Sequence, residues 1–303
     1  MQRCLRTTEG GVSVISHRGA PRPGAWRENT IRAFEHAREL GADGVELDVR
    51  LTRDGSLVVH HDAELSAEDG GAVIGAVRRD DLPDWLPDLQ SVLRACVGML
   101  VDVELKLEPP TPGARLDTGE CRAMASGVAE SLAGAHRSGA RVGARNEARN
   151  GASDDAANRA AGAAPKVVVS SFRPDALVAF GEVAPGVPLG LLVHPADDAR
   201  RAVQHASGLG CACLLPHQSA ADRDLLGLCA EAGLEVGVWT VNDAVRVRSL
   251  VSDGAEAIIT DDTAMALSAL GRKALQGDRP GGSADGRWIE HRTVPDWSEG
   301  RNV

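Results

Sequence analysis

An alternation repeated eight times constrains this chain most: short runs rich in valine, leucine and isoleucine trade places with segments of helical periodicity. The strand-like runs cover residues 12–16, 44–50, 100–107, 166–171, 187–193, 212–215, 234–240 and 257–260. Parallel neighbours in a sheet need a crossover of a dozen or more residues, usually a helix. Eight such units in series therefore predict an α/β fold of the TIM type, a closed (β/α)8 barrel. Between the runs, Ile31, Phe34, Ala37 and Leu40 lie on one helical stripe that stops at Gly41, and Leu225, Leu226, Leu228 and Cys229 form another before Gly233. Such stripes suit helices that wrap the outside of a barrel. A chain of 303 residues with 43% hydrophobic content has the length and apolar mass for one such domain.

One interruption breaks the simple alternation. Thr52-Arg53-Asp54-Gly55 is a turn signal, and it predicts a small hairpin insertion in which residues 56–60 fold back beside the second strand. That hairpin returns His61 towards the barrel mouth. The expected layout is an N-terminal extension over 1–11 and a barrel over 12–270, with a low-complexity insertion at about 108–165, followed by a disordered polar tail over 271–303 that contains Trp288 and Trp297. Within the insertion, 118–132 has helical character, and 138–164 reads as flexible.

The charge balance narrows the partners. Thirty-three basic against 43 acidic residues give a net charge of −10, which repels nucleic acid and anionic membrane surfaces. An anionic substrate must then be drawn by local cations or a metal. The six cysteines form no C-x-x-C pair and no dense framework, and Cys211-x-Cys213 is too tight for an ordinary zinc site, so scattered thiols in a reducing compartment are expected. The opening MQRCLRTTEGG lacks the apolar core of a secretory signal, and no run of about 18 apolar residues is present. These features predict a cytoplasmic protein without an integral membrane segment.

The second strand carries the first chemistry. Alternate side chains of a strand share a face, so Glu46 and Asp48 project together while Val45, Leu47 and Val49 project to the other side. Two carboxylates on an interior wall repel and are costly to desolvate, by several kcal/mol as an order of magnitude, unless a cation neutralises them. A divalent ion with hard oxygen ligands, Mg2+ or Ca2+, is the simplest remedy. In VDVELKL, Glu104 and Lys106 repeat the pattern on the next barrel strand, either as further site groups or as an interior salt bridge. His17 ends the first strand, at the rim where such barrels place active sites, and Gly19 allows a sharp turn there. Arg18 supplies a fork suited to phosphate oxygens. His60 and His61 are adjacent, so only one of them can enter the site. Ahead of the first helix, Asn29 or Thr30 is a candidate N-cap, with Glu28 free to reach into the rim.

Taken together, His17-Arg18-Gly19, Glu28-Asn29-Thr30, GADGVELD, SLVVHHD, Glu104-x-Lys106, Ser171-Phe172, Trp239-Thr240-Val241-Asn242 and GAEAIITD resemble the glycerophosphodiester phosphodiesterase family over roughly residues 12–270. The resemblance implies His17 and His61 as the catalytic pair, with His60 in a packing position. It implies Glu46, Asp48 and Glu104 as ligands of one divalent cation, and Arg18, Lys106, Glu28 and Trp239 as phosphate and substrate contacts. Trp239 would be a flat wall for a polyol carbon chain. The implied activity is metal-dependent hydrolysis of a small-molecule glycerophosphodiester to an alcohol and sn-glycerol 3-phosphate, with the histidines as acid and base. The alternatives are a lysophospholipase D-like phosphodiesterase and a silent metal- or polyol-phosphate-binding barrel. Two departures stand out: the chain passes from Asp62 through Ala63-Glu64-Leu65-Ser66 to Leu89 without the usual longer substrate-covering insertion, and the segment from Glu108 to Pro165 is unusual; Arg27 in place of a usual proline is a milder one.

Overall fold

In the computed structural model short, mostly apolar strands alternate with helices along the chain. The structure describes residues 3–7, 10–108, 116–150 and 165–275. Its strands are β1 (Ser13–Ser16), β2 (Gly44–Leu51), β3 (Leu57–Val59), β4 (Leu100–Leu105), β5 (Lys166–Ser171), β6 (Leu189–Val193), β7 (Cys213–Pro216), β8 (Glu235–Val238) and β9 (Ala257–Thr260). The α-helices are α1 (Ile31–Leu40), α2 (Leu89–Ala95), α3 (Thr118–Asn150), α4 (Pro174–Val183), α5 (Ala199–Gly208), α6 (Arg223–Glu231), α7 (Ala244–Asp253) and α8 (Thr263–Ala269). Eight strands are parallel, and β1 pairs with both β9 and β2, so the sheet closes into the expected (β/α)8 barrel. The ninth, β3, pairs antiparallel with β2 through Val49 opposite Val59 and Leu51 opposite Leu57, which is the expected hairpin. Gly55, at φ 81, makes its turn.

Apolar side chains fall into three groups. The largest lies between strands and helices and includes Phe34, Leu47, Val103, Leu177 and Val247, all at most 1% exposed. A second fills the barrel itself: Ile15, Leu100, Val168, Leu192, Cys213, Leu215, Ala257 and Ile259, joined by Cys4 and Leu5. The stretch read as an N-terminal extension therefore contributes to the core, and the amides of Cys4 and Leu5 each donate to Glu235 Oε2 at 2.7 Å. The third group, Val58, Leu65, Ile74, Leu82 and Leu86, holds together the segment between β3 and α2, which contains three single 3-10 turns.

One boundary differs from expectation. Helix α3 does not stop near Leu132 but runs to Asn150, so residues 138–150, read as flexible, are helical. The alanines, arginines and glutamate of that stretch favour helix enough to carry it past its glycines. Residues 151–164 of the expected flexible segment, and 276–303 of the expected tail with Trp288 and Trp297, lie outside the described residues. Among the described residues, no helix is long and apolar enough to cross a membrane.

Candidate active site

The barrel core explains where the site groups stand. Ile15, Leu100, Leu192, Leu215 and Ile259 point inward, and stepping along each strand keeps the same face every second residue. The next inward positions are His17 on β1, Asp102 on β4 with Glu104 and Lys106 beyond it, His194, His217 and Asp261. The register of β2 on β4 sets Glu46 beside Asp102 and Asp48 beside Glu104. One carboxylate oxygen from each of Glu46, Asp48 and Glu104 lies within 4.8 Å of the others, and all three residues are buried.

Two cations frame this triad. Lys106 Nζ stands 2.9 Å from Glu104 Oε1 and 3.2 Å from Asp48 Oδ1. Arg18 Nε stands 3.3 Å from Asp48 Oδ2, its backbone N–H donates to Glu46 Oε2 at 3.1 Å, and its Nη1 donates to Glu28 Oε1 at 2.9 Å. Arg18 adopts φ 54, a conformation that costs a non-glycine residue about 1–3 kcal/mol and aims its amide at the carboxylates. Gly19 follows at φ 80, and a Cβ there would come within 2.8 Å of the Ala33 backbone, so the turn onto α1 admits no side chain.

The electrostatics are lopsided. Against burial, Lys106, Arg18 and His61 hold the Asp48 carboxyl well below the usual range. Burial, together with Asp48 and Glu104, pushes Glu46 well above it, and burial also raises Glu104. One layer deeper, burial lifts Asp102 to about 7. Three clustered carboxylates thus face two cationic side chains, and the buried Asp48 Oδ1 makes no hydrogen bond. An all-oxygen cluster of three carboxylates against two cationic side chains fits a hard divalent cation.

Each site histidine is fixed by a carboxylate. Asp261 Oδ1 lies 2.7 Å from His17 Nδ1, leaving Nε2 to face Glu46 Oε2 at 3.8 Å. Asp62 Oδ1 lies 2.8 Å from His61 Nδ1. Burial lowers His61 to about 4, against the pull of Asp48 and with the help of Arg18 and Lys106. Of the adjacent histidines, His61 lies within electrostatic reach of Asp48, Arg18 and Lys106, while His60 meets Trp85 edge-on at 6.1 Å.

With this geometry in place, the relatives can be compared. The family model described as "Glycerophosphoryl diester phosphodiesterase family" matches residues 17–265. The chain belongs to that family. A glycerophosphodiester phosphodiesterase of Caldanaerobacter subterraneus is 29% identical over 272 residues, covering 82% of this chain and 93% of that one. A solved phosphodiesterase of Oleispira antarctica, in complex with the product sn-glycerol-3-phosphate, superposes with a TM-score of 0.66 at 25% identity, covering 86% of this chain and 96% of that chain. A human lysophospholipase D is 43% identical over 84 residues, which is 27% of this chain and 26% of that protein. As a member of the glycerophosphoryl diester phosphodiesterase family, the chain is a phosphoric diester hydrolase.

Further groups of this phosphodiesterase surround the triad and the histidines. Asn29 is not the N-cap; Thr30 is, accepting from the Ala33 amide. Asn29 is buried at φ 55 and donates Nδ2–H to Asp48 Oδ2 at 2.7 Å. Asn242 donates to Asp261 Oδ2 at 2.6 Å and so braces the partner of His17. Glu28 stands at the exposed rim, with Arg18 and not with the triad. Trp239 is half-buried on the far side of the mouth, its indole N–H donated to Leu215 O at 2.7 Å. There it meets Phe172 at 5.5 Å and His217 at 5.0 Å, ring centre to ring centre, while Lys106 Nζ lies 5.9 Å from the Phe172 ring.

Proposed function

We propose that this phosphodiesterase hydrolyses glycerophosphodiesters to an alcohol and sn-glycerol 3-phosphate, with Glu46, Asp48 and Glu104 holding one divalent cation, Mg2+ or Ca2+. The observation that carries the reading is a buried carboxylate triad flanked by two histidines, each with its own carboxylate partner. The bound cation would supply charge neutralisation for the phosphoryl group. Arg18 and Lys106 bind phosphate oxygens beside it. In the reaction a new O–P bond forms from the nucleophile, water or the substrate's own 2-hydroxyl, as the P–O bond to the alcohol breaks. His17 and His61, each held by its own carboxylate partner, share the acceptance of the nucleophile's proton and the return of a proton to the departing alkoxide. The sn-glycerol-3-phosphate in the Oleispira relative supports the product assignment. Six free cysteines, all buried, suit a cytoplasmic setting.

A second reading extends to lysophospholipids. The segment between β3 and α2 holds only short 3-10 turns, a short cover that suits a glycerol moiety carrying an acyl chain, and the stretch shared with the human lysophospholipase D points the same way. Turnover of glycerophosphocholine and lysophosphatidylcholine, followed as sn-glycerol 3-phosphate and choline release with His61→Ala as control, separates the readings. Glycerol 3-phosphate from the first, absent with His61→Ala, is expected. Choline from lysophosphatidylcholine alone would move the assignment to the second reading, and activity unchanged in His61→Ala would refute the histidine roles.

A further inference from the structure

The geometry points to Arg50 as the positioning residue that ties His61 to the barrel strand carrying Glu46 and Asp48. This rests on the reading of His61 as a proton-transfer group. Arg50 follows Glu46 and Asp48 at the same two-residue step on β2, and it is 8% exposed. Its Nε and Nη2 both donate to the His61 carbonyl oxygen, at 2.8 and 2.5 Å, and Nη2 also reaches Glu108 Oε1 at 2.9 Å. Glu108 is largely exposed, so the carbonyl is the main partner.

The need for such a tie follows from comparing the two histidines. His17 continues a barrel strand; its amide donates to Thr260 O on the neighbouring strand at 2.9 Å, and its ring partner Asp261 stands on that same rigid neighbour. His61 lies past the end of β3. The last ladder-like bond before it is His60 N–H to Asp48 O, and among the described residues the backbone of 61 and 62 has no backbone partner. Asp62, which orients the ring, is the next residue and is 73% exposed, so it moves with His61 and cannot locate it. The arginine fork is left as the link between this dipeptide and the barrel. Because the fork springs from β2, it locks the histidine to the wall it must work against. Arg50 spends these donors on backbone and Glu108, so it acts through His61 and not on substrate.

The test is a double-mutant cycle of Arg50→Ala with His61→Ala, assayed on glycerophosphocholine with divalent cation present. A displacement of about 1 Å at a reacting group costs on the order of 100-fold in rate. We expect Arg50→Ala to lower kcat by about that factor with KM within about 2-fold, and methylguanidinium in solution to restore part of it. Arg50→Lys, which keeps the buried charge but loses the fork, should fall between. In the double variant, kcat should be no lower than in His61→Ala alone. Fully additive losses, or wild-type kcat in Arg50→Ala, would overturn the assignment. Should Arg50→Ala not fold, Arg50→Lys decides: a kcat deficit at unchanged KM and melting temperature supports the tie, and wild-type kcat refutes it. If His61→Ala itself keeps wild-type turnover, the reading of His61 falls, which is a separate and recognisable outcome.

Discussion

Around the barrel mouth, strands β9, β1, β2 and β4 end in Asp261, His17, Arg18, Asp48, Glu104 and Lys106, whereas β5 to β8 end in Phe172, His194, His217 and Trp239. Most of these positions follow one device, a step of two or four residues beyond an inward apolar layer, and Arg18 departs from it at φ 54. The halves differ in how tightly each side chain is bound to its neighbours. In the charged half the side chains are tied by ion pairs and hydrogen bonds of 2.7 to 3.3 Å, although Asp102 and Asp48 Oδ1 keep buried oxygens without a hydrogen bond. In the ring-lined half the contacts are edge-on aromatic pairs with centres 5.0 to 6.4 Å apart, each worth about 0.5–1.5 kcal/mol beyond area burial and forgiving of small shifts. One half is therefore suited to fixing the chemistry, while the other can change to suit the organic part of a substrate.

That contrast can be broken by mutation, and the largest effect belongs to the charged half. Asp48→Asn removes the carboxylate on which Lys106, Arg18 and Asn29 converge, and kcat should fall by about 10^4-fold, several kcal/mol of transition-state stabilisation. Steady-state kinetics with saturating cation checks it. His61→Ala should cost about 10^3-fold in kcat, within the usual range for a proton-transfer group. Trp239→Ala belongs to the other half and should cost about 10-fold in kcat/KM, chiefly through KM, as expected for lost apolar contact. A loss of kcat as deep as that of His61→Ala would erase the distinction between the halves.

The smallest effect concerns stability and carries a sign. Glu46, Glu104 and Asp102 have raised carboxyl pKa values, so their contribution is full below the ordinary carboxylate range and is lost as pH rises towards about 7, where Asp102 titrates. His61 runs the other way: its lowered pKa gives stability that is present above its ordinary value and lost as pH falls towards about 4. A bound cation holds the triad ionised and cancels part of the carboxylate loss. The gain in melting temperature on adding Mg2+ or Ca2+ to stripped protein should therefore widen by a few degrees between pH 5 and pH 7.5. A gain independent of pH would place the ion elsewhere.

What was legible in the sequence was what strand parity and short motifs encode. Alternation in VELDV and VDVELKL is enough to face Glu46, Asp48, Glu104 and Lys106 inward, and the eightfold repeat is enough to close the barrel. The same parity also faces Arg50 and Asp102 inward, but neither stands in a motif that marks it as a site group. Asn29 was hidden for another reason. Its side chain reaches Asp48 only because its backbone takes φ 55, and sequence treats an asparagine before a helix as a cap. Asp261 meets His17 from 244 positions away, through the closure of β9 on β1. Helix α3 outran its forecast because accumulated helix propensity outweighed scattered glycines.

The central claim is that the carboxylate triad is a divalent-cation site on which phosphodiester hydrolysis depends. The most direct measurement strips the protein of metal, adds back Mg2+ or Ca2+ in graded amounts, and follows sn-glycerol 3-phosphate release from glycerophosphocholine and glycerophosphoethanolamine in wild type and Asp48→Asn. No turnover without the ion, saturable recovery in wild type and none in the variant at the same concentrations are expected. Full turnover by stripped wild-type protein, or equal recovery in Asp48→Asn, would contradict the claim.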